Sequence, residues 1–263
     1  MARAADPVKP RRYWFTRSFM IGWTISAICH RHRSLGLDGA SQLRGVRPRP
    51  RVIGIRHIPA EGPFIVALNH YERPQLPVWF AVLFVSAAVR HRSPAGRSIR
   101  WMVTDRLYHF HLGPVIIPDP WMRWFLRRLA NVYGLILVGR EDVRGRASSL
   151  RQAGRALRRP GAVPMAVGVT PEGAGGGGRH LARAAPNAGR ALAWLSRGCV
   201  PIVPAAVYES PGGSLTLRFG EPFVLQSPAG APRSERDVLA TRVMCAIAAL
   251  LPPELRGPYG AKS

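Results

Sequence analysis

The chain has 263 residues and a formal net charge of +24, from 38 lysines and arginines against 14 acidic residues. This length fits one large α/β domain, with or without an N-terminal extension. The charge favours a polyanionic partner such as an anionic membrane, nucleic acid or phosphorylated ligand, although an arginine-rich genome is an alternative source of it. The three cysteines are widely spaced, which excludes a disulfide or cysteine-metal framework and predicts a reducing compartment.

The N-terminal region combines basic residues with one uncharged segment, Ser18–Cys29. Its twelve residues are too few to span a bilayer, which takes about 20. Arginines and histidines flank the segment, and Trp14 and Trp23 are aromatics typical of the headgroup level. We therefore predict an interfacial helix on an anionic membrane surface. A helix packed on the protein's own core and an uncleaved signal-like segment are the alternatives.

The rest of the chain alternates short apolar runs with helical stretches. We predict that residues 1–50 form a basic membrane-associating segment with a linker over Leu35–Arg51, and that residues 51–263 form an α/β domain. The predicted strands are Val52–Ile55, Phe64–Leu68, Ile99–Val103, Leu135–Val138, Val163–Val169, Val200–Val207 and Leu215–Phe219. The predicted helices are Leu76–Arg90, Pro120–Asn131, Ala147–Arg159, Asn187–Arg197 and Ser234–Leu250. This alternation predicts a mixed, mostly parallel sheet flanked by helices.

The stretch Phe64–Gln75, FIVALNHYERPQ, concentrates chemistry at the end of a strand. Five continuous apolar residues suit a strand that is buried on both faces, and His70 follows that strand directly. Ligands of open α/β sheets bind beyond the carboxyl ends of the strands, so His70 is placed where a general base would act. The alternative is that His70 only ends the strand.

Three further stretches are also candidate sites at the ends of predicted strands. They are Gly134–Arg140, a strand ending in an arginine; Val169–Gly173, a strand ending in a carboxylate and a glycine-rich loop; and Val200–Ala205, an apolar strand with prolines. In this order and spacing, the four stretches resemble the lysophospholipid acyltransferase family, which includes 1-acyl-sn-glycerol-3-phosphate acyltransferase. The resemblance runs from about Arg51 to Phe223. It implies a mostly parallel sheet with an N-terminal helical element that meets the membrane.

The resemblance also implies roles for individual residues. His70 is the general base that takes a proton from the acceptor hydroxyl, which then attacks the thioester of acyl-CoA or acyl-carrier protein. No cofactor is expected beyond that co-substrate. The supporting and substrate-binding residues expected around His70 are Asn69, Arg73, Gln75, Arg140, Glu172, Gly173 and Arg179.

The chain departs from the family pattern at two places. Gln75 stands where the family has an aspartate that stabilises the charged imidazole; an amide can hold one tautomer but cannot supply that charge. Glu72 is a candidate substitute for the aspartate. It lies two residues after His70 in a strand-to-helix turn, where its side chain is expected to face away from the imidazole. Glu172-Gly173 is followed by Ala174-Gly175 instead of the family's Thr-Arg, so backbone N–H groups of this glycine-rich loop, with Arg179, are expected to meet an anion. A surface loop without a ligand is the alternative.

The sequence therefore predicts a peripheral or monotopic enzyme of membrane phospholipid synthesis at the cytoplasmic face of the membrane. Its expected acceptor is a lysophospholipid or glycerol-phosphate-type hydroxyl. A non-catalytic lipid-binding relative is the alternative that Gln75 suggests. No specific nucleic acid is expected, because no helix-turn-helix, zinc or RNA-reading motif accompanies the charge. A metal site is not expected either, because His109 and His111 lack an apparent third ligand.

Overall fold

The computed structural model describes residues 13, 15–93, 97–106, 111–112, 115–116, 118–139, 143–158, 165–173, 178–226 and 233–260. They form an α/β fold in which seven helices flank a mixed, mostly parallel sheet of seven strands. The predicted fold class is therefore confirmed. The helices are α1 (Arg17–Ile28), α2 (Leu35–Arg44), α3 (Val78–Arg92), α4 (Asp119–Tyr133), α5 (Val143–Arg158), α6 (Ala188–Leu195) and α7 (Arg233–Ala248).

The strands are β1 (Arg51–Ile53), β2 (Phe64–Leu68), β3 (Ile99–Thr104), β4 (His111–Leu112), β5 (Val115–Ile116), β6 (Ile136–Val138), β7 (Ala166–Val169), β8 (Ile202–Glu209) and β9 (Leu215–Phe219). The main sheet has the order β1-β9-β8-β2-β7-β3-β6, and β4 pairs with β5 in a separate hairpin. Within the main sheet only the β8–β9 pair is antiparallel. The predicted elements are thus present, two strands with the predicted bounds and the others with shifted bounds. Parts of the predicted Val163–Val169 and Ala147–Arg159 lie outside the described residues.

Strand β2 occupies the centre of the sheet between β7 and β8, with parallel partners on both sides. All five of its residues are 0% exposed, as the continuous apolar run predicts for a strand covered by helices on both faces. Because its neighbours run in the same direction, the carboxyl ends of β2, β7 and β8 meet at one edge of the sheet. His70 and Glu172 both lie just beyond that edge.

The linker predicted over Leu35–Arg51 is wrong for its first ten residues, which form α2. Ser34 caps this helix, because its hydroxyl accepts a hydrogen bond from Leu37 N at 3.4 Å. The glycines that indicated a loop serve close packing instead. A Cβ at Gly39 would overlap the Leu83 carbonyl of α3, so its absence lets the two helices approach closely.

Helix α1 lies against α4, where the Trp23 and Phe125 ring centroids are 5.2 Å apart. Both helices also carry large apolar side chains that are exposed: Met20, Ile21, Ile25, Ile28, Trp121, Trp124 and Phe125. We call these residues the α1–α4 apolar surface. In the part of the chain that the structure describes, no helix has the length and apolar character needed to cross a bilayer. Membrane association through α1 stays a prediction.

Gly168 of β7 lies opposite Trp101 of β3, and a Cβ at Gly168 would overlap the indole ring. Trp101 cannot move away easily, because it is 1% exposed and its Nε1 donates a hydrogen bond to Ser86 Oγ at 2.9 Å. We expect Gly168→Ala to lower the free energy of unfolding by about 1–3 kcal/mol, as overpacked cores do. Urea denaturation measures this. Gly212→Ala, at a position with open space around it, is the matched control and should change little.

Candidate active site

The candidate site is built around His70, which follows β2 at the carboxyl edge of the sheet. Its backbone N–H donates a hydrogen bond of 2.5 Å to Glu172 Oε1. The imidazole is partly buried, and its Nδ1 is enclosed with no hydrogen-bond partner in the described part of the chain. Because Nδ1 is enclosed, Nε2 is the ring nitrogen left to meet a substrate.

Burial lowers the pKa of His70 below its ordinary value of 6.5, and the nearby Glu72 carboxylate opposes that shift. A lowered pKa keeps the imidazole neutral at physiological pH, which is the form that can accept a proton. Glu72 and His70 line the same cleft, although no hydrogen bond joins their side chains among the described residues. Glu72 thus influences the His70 ring through its charge, and its role as a partner of the imidazole stays a prediction.

Gln75 is not positioned as an orienting partner of the imidazole. Its side chain is exposed, and its backbone has a φ of +72°, in the left-handed region. Its carbonyl accepts a hydrogen bond from Tyr13 N at 2.9 Å. In the described structure no hydrogen bond links the Gln75 amide to His70. Two backbone hydrogen bonds between Arg73 and Leu76, of 2.9 and 3.2 Å, close the turn that contains Gln75.

Glu172 is 2% exposed and both of its carboxylate oxygens are occupied. Oε1 accepts from His70 N, and Oε2 accepts from Ala182 N at 2.6 Å. Burial raises the pKa of Glu172, while the two backbone donors oppose that shift. The carboxylate thus connects the end of β2 with the segment that follows the glycine-rich loop. Because Glu172 is almost fully buried, little of it is accessible to an acceptor, and the acceptor contact predicted for it stays a prediction.

Two other predicted binding residues are likewise engaged within the protein. The Asn69 side chain is buried and forms two hydrogen bonds with the backbone of Val207 in β8, at 2.8 and 3.0 Å. Arg73 forms an ion pair with Glu209, with a second hydrogen bond from Nη2 at 2.6 Å. This contact raises the pKa of Arg73. Both side chains therefore hold the segment around His70 against β8, and their predicted contacts with substrate stay predictions.

The remaining predicted residues are only partly described. Gly173 lines the same cleft as His70 and has a φ of +62°, which glycine adopts without strain. Arg179 is exposed, close to where Gly178 O accepts a hydrogen bond from Glu72 N at 2.9 Å. Arg140 and residues 174–177 of the glycine-rich loop lie outside the described residues. So does His109, and among the residues described no group of His, Cys, Asp or Glu is placed to hold a metal ion.

A cleft of about 540 Å³ opens beside His70 and is mainly apolar. It extends along the carboxyl ends of β3, β6 and β7 and beneath helices α3 to α6. Representative lining residues are Val82, Trp101, Leu126, Leu150, Leu192 and Leu195. Its volume is within the range of small-molecule sites, roughly 300–1,000 Å³. The arrangement offers one neutral base at the polar end of an apolar cavity.

Comparisons with known proteins add little to this geometry. No protein-family model matches the chain, and no curated protein does. Among solved structures, the chain is similar to the crystal structure of the 1-acyl-sn-glycerophosphate (LPA) acyltransferase PlsC from Thermotoga maritima. That similarity has a TM-score of 0.45 and 16% identity, and it covers 90% of this chain and 84% of that chain. Values this low do not establish a family, so the function rests on the chemistry of the site itself.

Proposed function

We propose that the protein is an acyltransferase that moves an acyl group from acyl-CoA or acyl-carrier protein to a hydroxyl of a lysophospholipid or glycerol-phosphate-type acceptor. One observation carries the proposal: the neutral imidazole of His70 lies at the polar end of a largely apolar cleft. A base in this position can activate a hydroxyl while the cleft accommodates an apolar chain. The four strand-end stretches of the sequence point to the same chemistry.

In the proposed reaction, His70 Nε2 accepts the proton of the acceptor hydroxyl, and the oxygen attacks the carbonyl carbon of the thioester. The tetrahedral intermediate then collapses, and the carbon–sulfur bond breaks. The thiolate leaves and takes up the proton from the imidazolium, so the products are an ester and a free thiol. His70 is the catalytic residue. We assign Glu172 as a positioning residue, because among the described residues its carboxylate accepts hydrogen bonds from the backbone N–H groups of His70 and Ala182.

The imidazolium formed during this reaction requires a nearby negative charge, and Gln75 does not provide one. Glu72 is the carboxylate whose field reaches His70 from within the cleft. We assign it the role of stabilising the charged ring through space, without a hydrogen bond. This arrangement replaces the aspartate of the family pattern by a carboxylate three residues nearer to the histidine along the chain.

The apolar cleft is proposed to hold the acyl chain, because burying each methylene contributes about 0.8 kcal/mol. The acceptor is proposed to lie on the polar side of His70, towards Gly173 and Arg179. Arg140 is proposed as a further phosphate contact. An arginine's fork of donors suits phosphate oxygens, and the net charge of +24 would attract anionic substrates.

The enzyme is proposed to act in phospholipid biosynthesis as a peripheral or monotopic protein on the cytoplasmic face of the membrane. The α1–α4 apolar surface supports this, since aromatic and aliphatic side chains exposed beside arginines suit the headgroup region. A lysophospholipid acceptor resides in that region. The protein would thus take its acceptor from the membrane on which it lies.

A thiol-release assay tests the proposal with purified protein, acyl-CoA or acyl-carrier protein as donor, and a panel of lysophospholipid and glycerol-phosphate acceptors. We expect thiol release that depends on both the acceptor and the protein. The absence of release with every acceptor and both donors would reject acyl transfer. The panel also identifies the acceptor class.

A non-catalytic lipid-binding protein is the second candidate, and the exposed Gln75 side chain favours it. Such a protein would keep the apolar cleft and the basic surface without stabilising an imidazolium. It would bind lysophospholipid, measured by fluorescence or calorimetry, in the same samples that release no thiol. Binding with turnover instead supports the enzyme.

The pH dependence of kcat/KM is expected to report the lowered pKa of His70. Only the neutral ring accepts a proton, so activity should fall as pH drops through a midpoint below 6.5 and should stay high above it. Glu72 raises the pKa of His70, so removing its charge in Glu72→Gln should move that midpoint to lower pH and reduce the plateau rate. A midpoint above 6.5, or the same midpoint in the variant, would contradict these roles.

A further inference from the structure

A second cavity, of about 390 Å³, lies between α1, α4 and the start of β3. Four of its lining residues carry basic side chains: His30, His32, Arg100 and Arg128. No carboxylate is among the lining residues that the structure describes. We call these four residues with their cavity the basic pocket. Converging cationic groups with no acidic partner in the lining are the arrangement expected of an anion site.

The basic pocket is separate from the candidate active site. Arg100 lies at the beginning of β3, whereas Thr104 at the end of the same strand lines the cleft of His70. Similarly, Leu135 just before β6 lines the pocket, and Val138 at the end of β6 lines the cleft. Trp101, the residue after Arg100, also lines the cleft, but the two cavities have no described lining residue in common. They are therefore treated as two distinct sites.

An acidic residue of α2 near the loop after α1 is already paired with an arginine. Asp38 is buried, and its carboxylate accepts hydrogen bonds from Arg33 at 2.6 and 2.8 Å and from Tyr133 at 2.7 Å. Arg33 N also donates to Val132 O at 2.8 Å, which fixes the loop after α1 against the end of α4. Val132 also lines the pocket, so this network borders the pocket, and its charges are paired with one another. Asp38 therefore does not compensate the charges of Arg100 and Arg128.

Two of the lining arginines are available to a ligand. Arg128 Nη1 lies 2.9–3.0 Å from the ring nitrogens of His30, and the unprotonated nitrogen of a neutral ring can accept a hydrogen bond from it. That contact orients Arg128 without cancelling its charge. Arg100 is partly buried and forms no hydrogen bond or ion pair within the described residues. Guanidinium groups are planar forks of donors, and this geometry matches the oxygens of a phosphate ester.

We propose that the basic pocket binds the phosphate of a phosphate ester, as a second anion site apart from the active site. Two sources share this chemistry: the headgroup of an anionic phospholipid, and a soluble ester such as glycerol phosphate. The pocket adjoins the α1–α4 apolar surface, because His30 follows the exposed Ile28 and the Arg128 guanidinium lies 5.6 Å from the Trp124 ring. A phospholipid would place its acyl chains along that surface and its phosphate in the pocket.

The test compares two double variants of the full chain that lose the same charge. The pocket variant, Arg100→Gln with Arg128→Gln, removes both arginine charges from the pocket lining. The control variant, Arg155→Gln with Arg197→Gln, removes two exposed arginines that do not line the pocket. Flotation with phosphatidylcholine vesicles, with and without phosphatidylglycerol, measures the lipid source. Calorimetric titration with inorganic phosphate and sn-glycerol 3-phosphate measures the soluble source. Circular dichroism confirms that each variant is folded.

For the lipid source, we expect the pocket variant to bind phosphatidylglycerol vesicles roughly 30-fold more weakly, since each arginine at an anionic surface contributes about fivefold. The control variant should lose much less affinity for the same vesicles. A soluble source is supported if only the titration with phosphate or glycerol phosphate depends on Arg100 and Arg128. Equal losses in the two variants in both assays would overturn the proposal. None of these readouts uses acyl transfer, so their failure is distinguishable from failure of the proposed function.

Discussion

Replacing His70 by alanine is expected to lower the turnover of acyl transfer by roughly 10²–10⁴-fold, the usual contribution of a general base. The physical reason is that no other described side chain at the polar end of the cleft can accept a proton at neutral pH and face the substrate. Glu72 shares the cleft, but an ordinary carboxylate is a weaker base than a neutral imidazole. Thiol release with the best acceptor of the panel measures the effect.

The same variant should remain folded, which separates chemistry from structure. In the described structure the imidazole forms no hydrogen bond, and the bond to Glu172 uses the His70 backbone N–H, which alanine retains. Thermal unfolding should therefore change little. His180→Ala, which removes an exposed histidine that does not line the cleft, is the matched control. Turnover equal to that of the parent protein would show that His70 is not the base.

Loss of turnover together with loss of cooperative unfolding would have another meaning. It would show that the ring supports the fold, and kinetics of that variant could not then assign a role. His70→Asn keeps a polar side chain of similar reach but has no basic nitrogen at neutral pH. A folded His70→Asn protein without turnover would restore the assignment, and a folded active one would reject it.

Apolar runs predicted the sheet well because a strand buried on both faces needs continuous hydrophobic residues. Phe64–Leu68 and Leu215–Phe219 have the predicted bounds for this reason. Helix α2 was missed because glycines disfavour an isolated helix by about 1 kcal/mol each. In the folded protein a Cβ at Gly36 or Gly39 would overlap Ser86 or Leu83 of α3, so the close packing of the two helices favours glycine at both positions. That contact involves residues far away in the chain, so local sequence cannot reveal it.

The position of His70 at the edge of the sheet could be predicted from the sequence, but the hydrogen-bond contacts around it could not. A histidine after a central strand is visible in the sequence, since chain order fixes it at the sheet edge. Which groups contact it depends on how distant segments cross that edge. Glu172 reaches the His70 backbone and not its ring, and the turn at Gln75 leaves the amide exposed. Neither the burial of a carboxylate nor a left-handed backbone has a signature in a single sequence.

Removing the carboxylate of Glu209 is expected to produce the largest loss of stability among the site's neighbours. The Arg73 and Glu209 side chains are only 8% and 11% exposed, and the carboxylate also accepts a hydrogen bond from Tyr13 Oη at 3.2 Å. In Glu209→Gln the partly buried Arg73 guanidinium loses the ion pair with the Glu209 carboxylate. Breaking such a pair typically costs about 3–5 kcal/mol. Urea denaturation measures the difference in the free energy of unfolding.

A double-mutant cycle decides whether Arg73 belongs to the fold or to the substrate site. If Arg73 and Glu209 stabilise one another, the double variant Arg73→Met/Glu209→Met should lose less free energy of unfolding than the two single variants lose together. The reason is that the double variant leaves neither charge of the pair buried. The coupling should exceed about 1 kcal/mol for a pair this enclosed. If Arg73 instead serves mainly to bind the acceptor, Arg73→Met would raise KM at unchanged stability and the cycle would show no coupling. We expect the first result, because the ion pair joins the segment after His70 to the end of β8 and thereby keeps that segment, and the mouth of the cleft, in place.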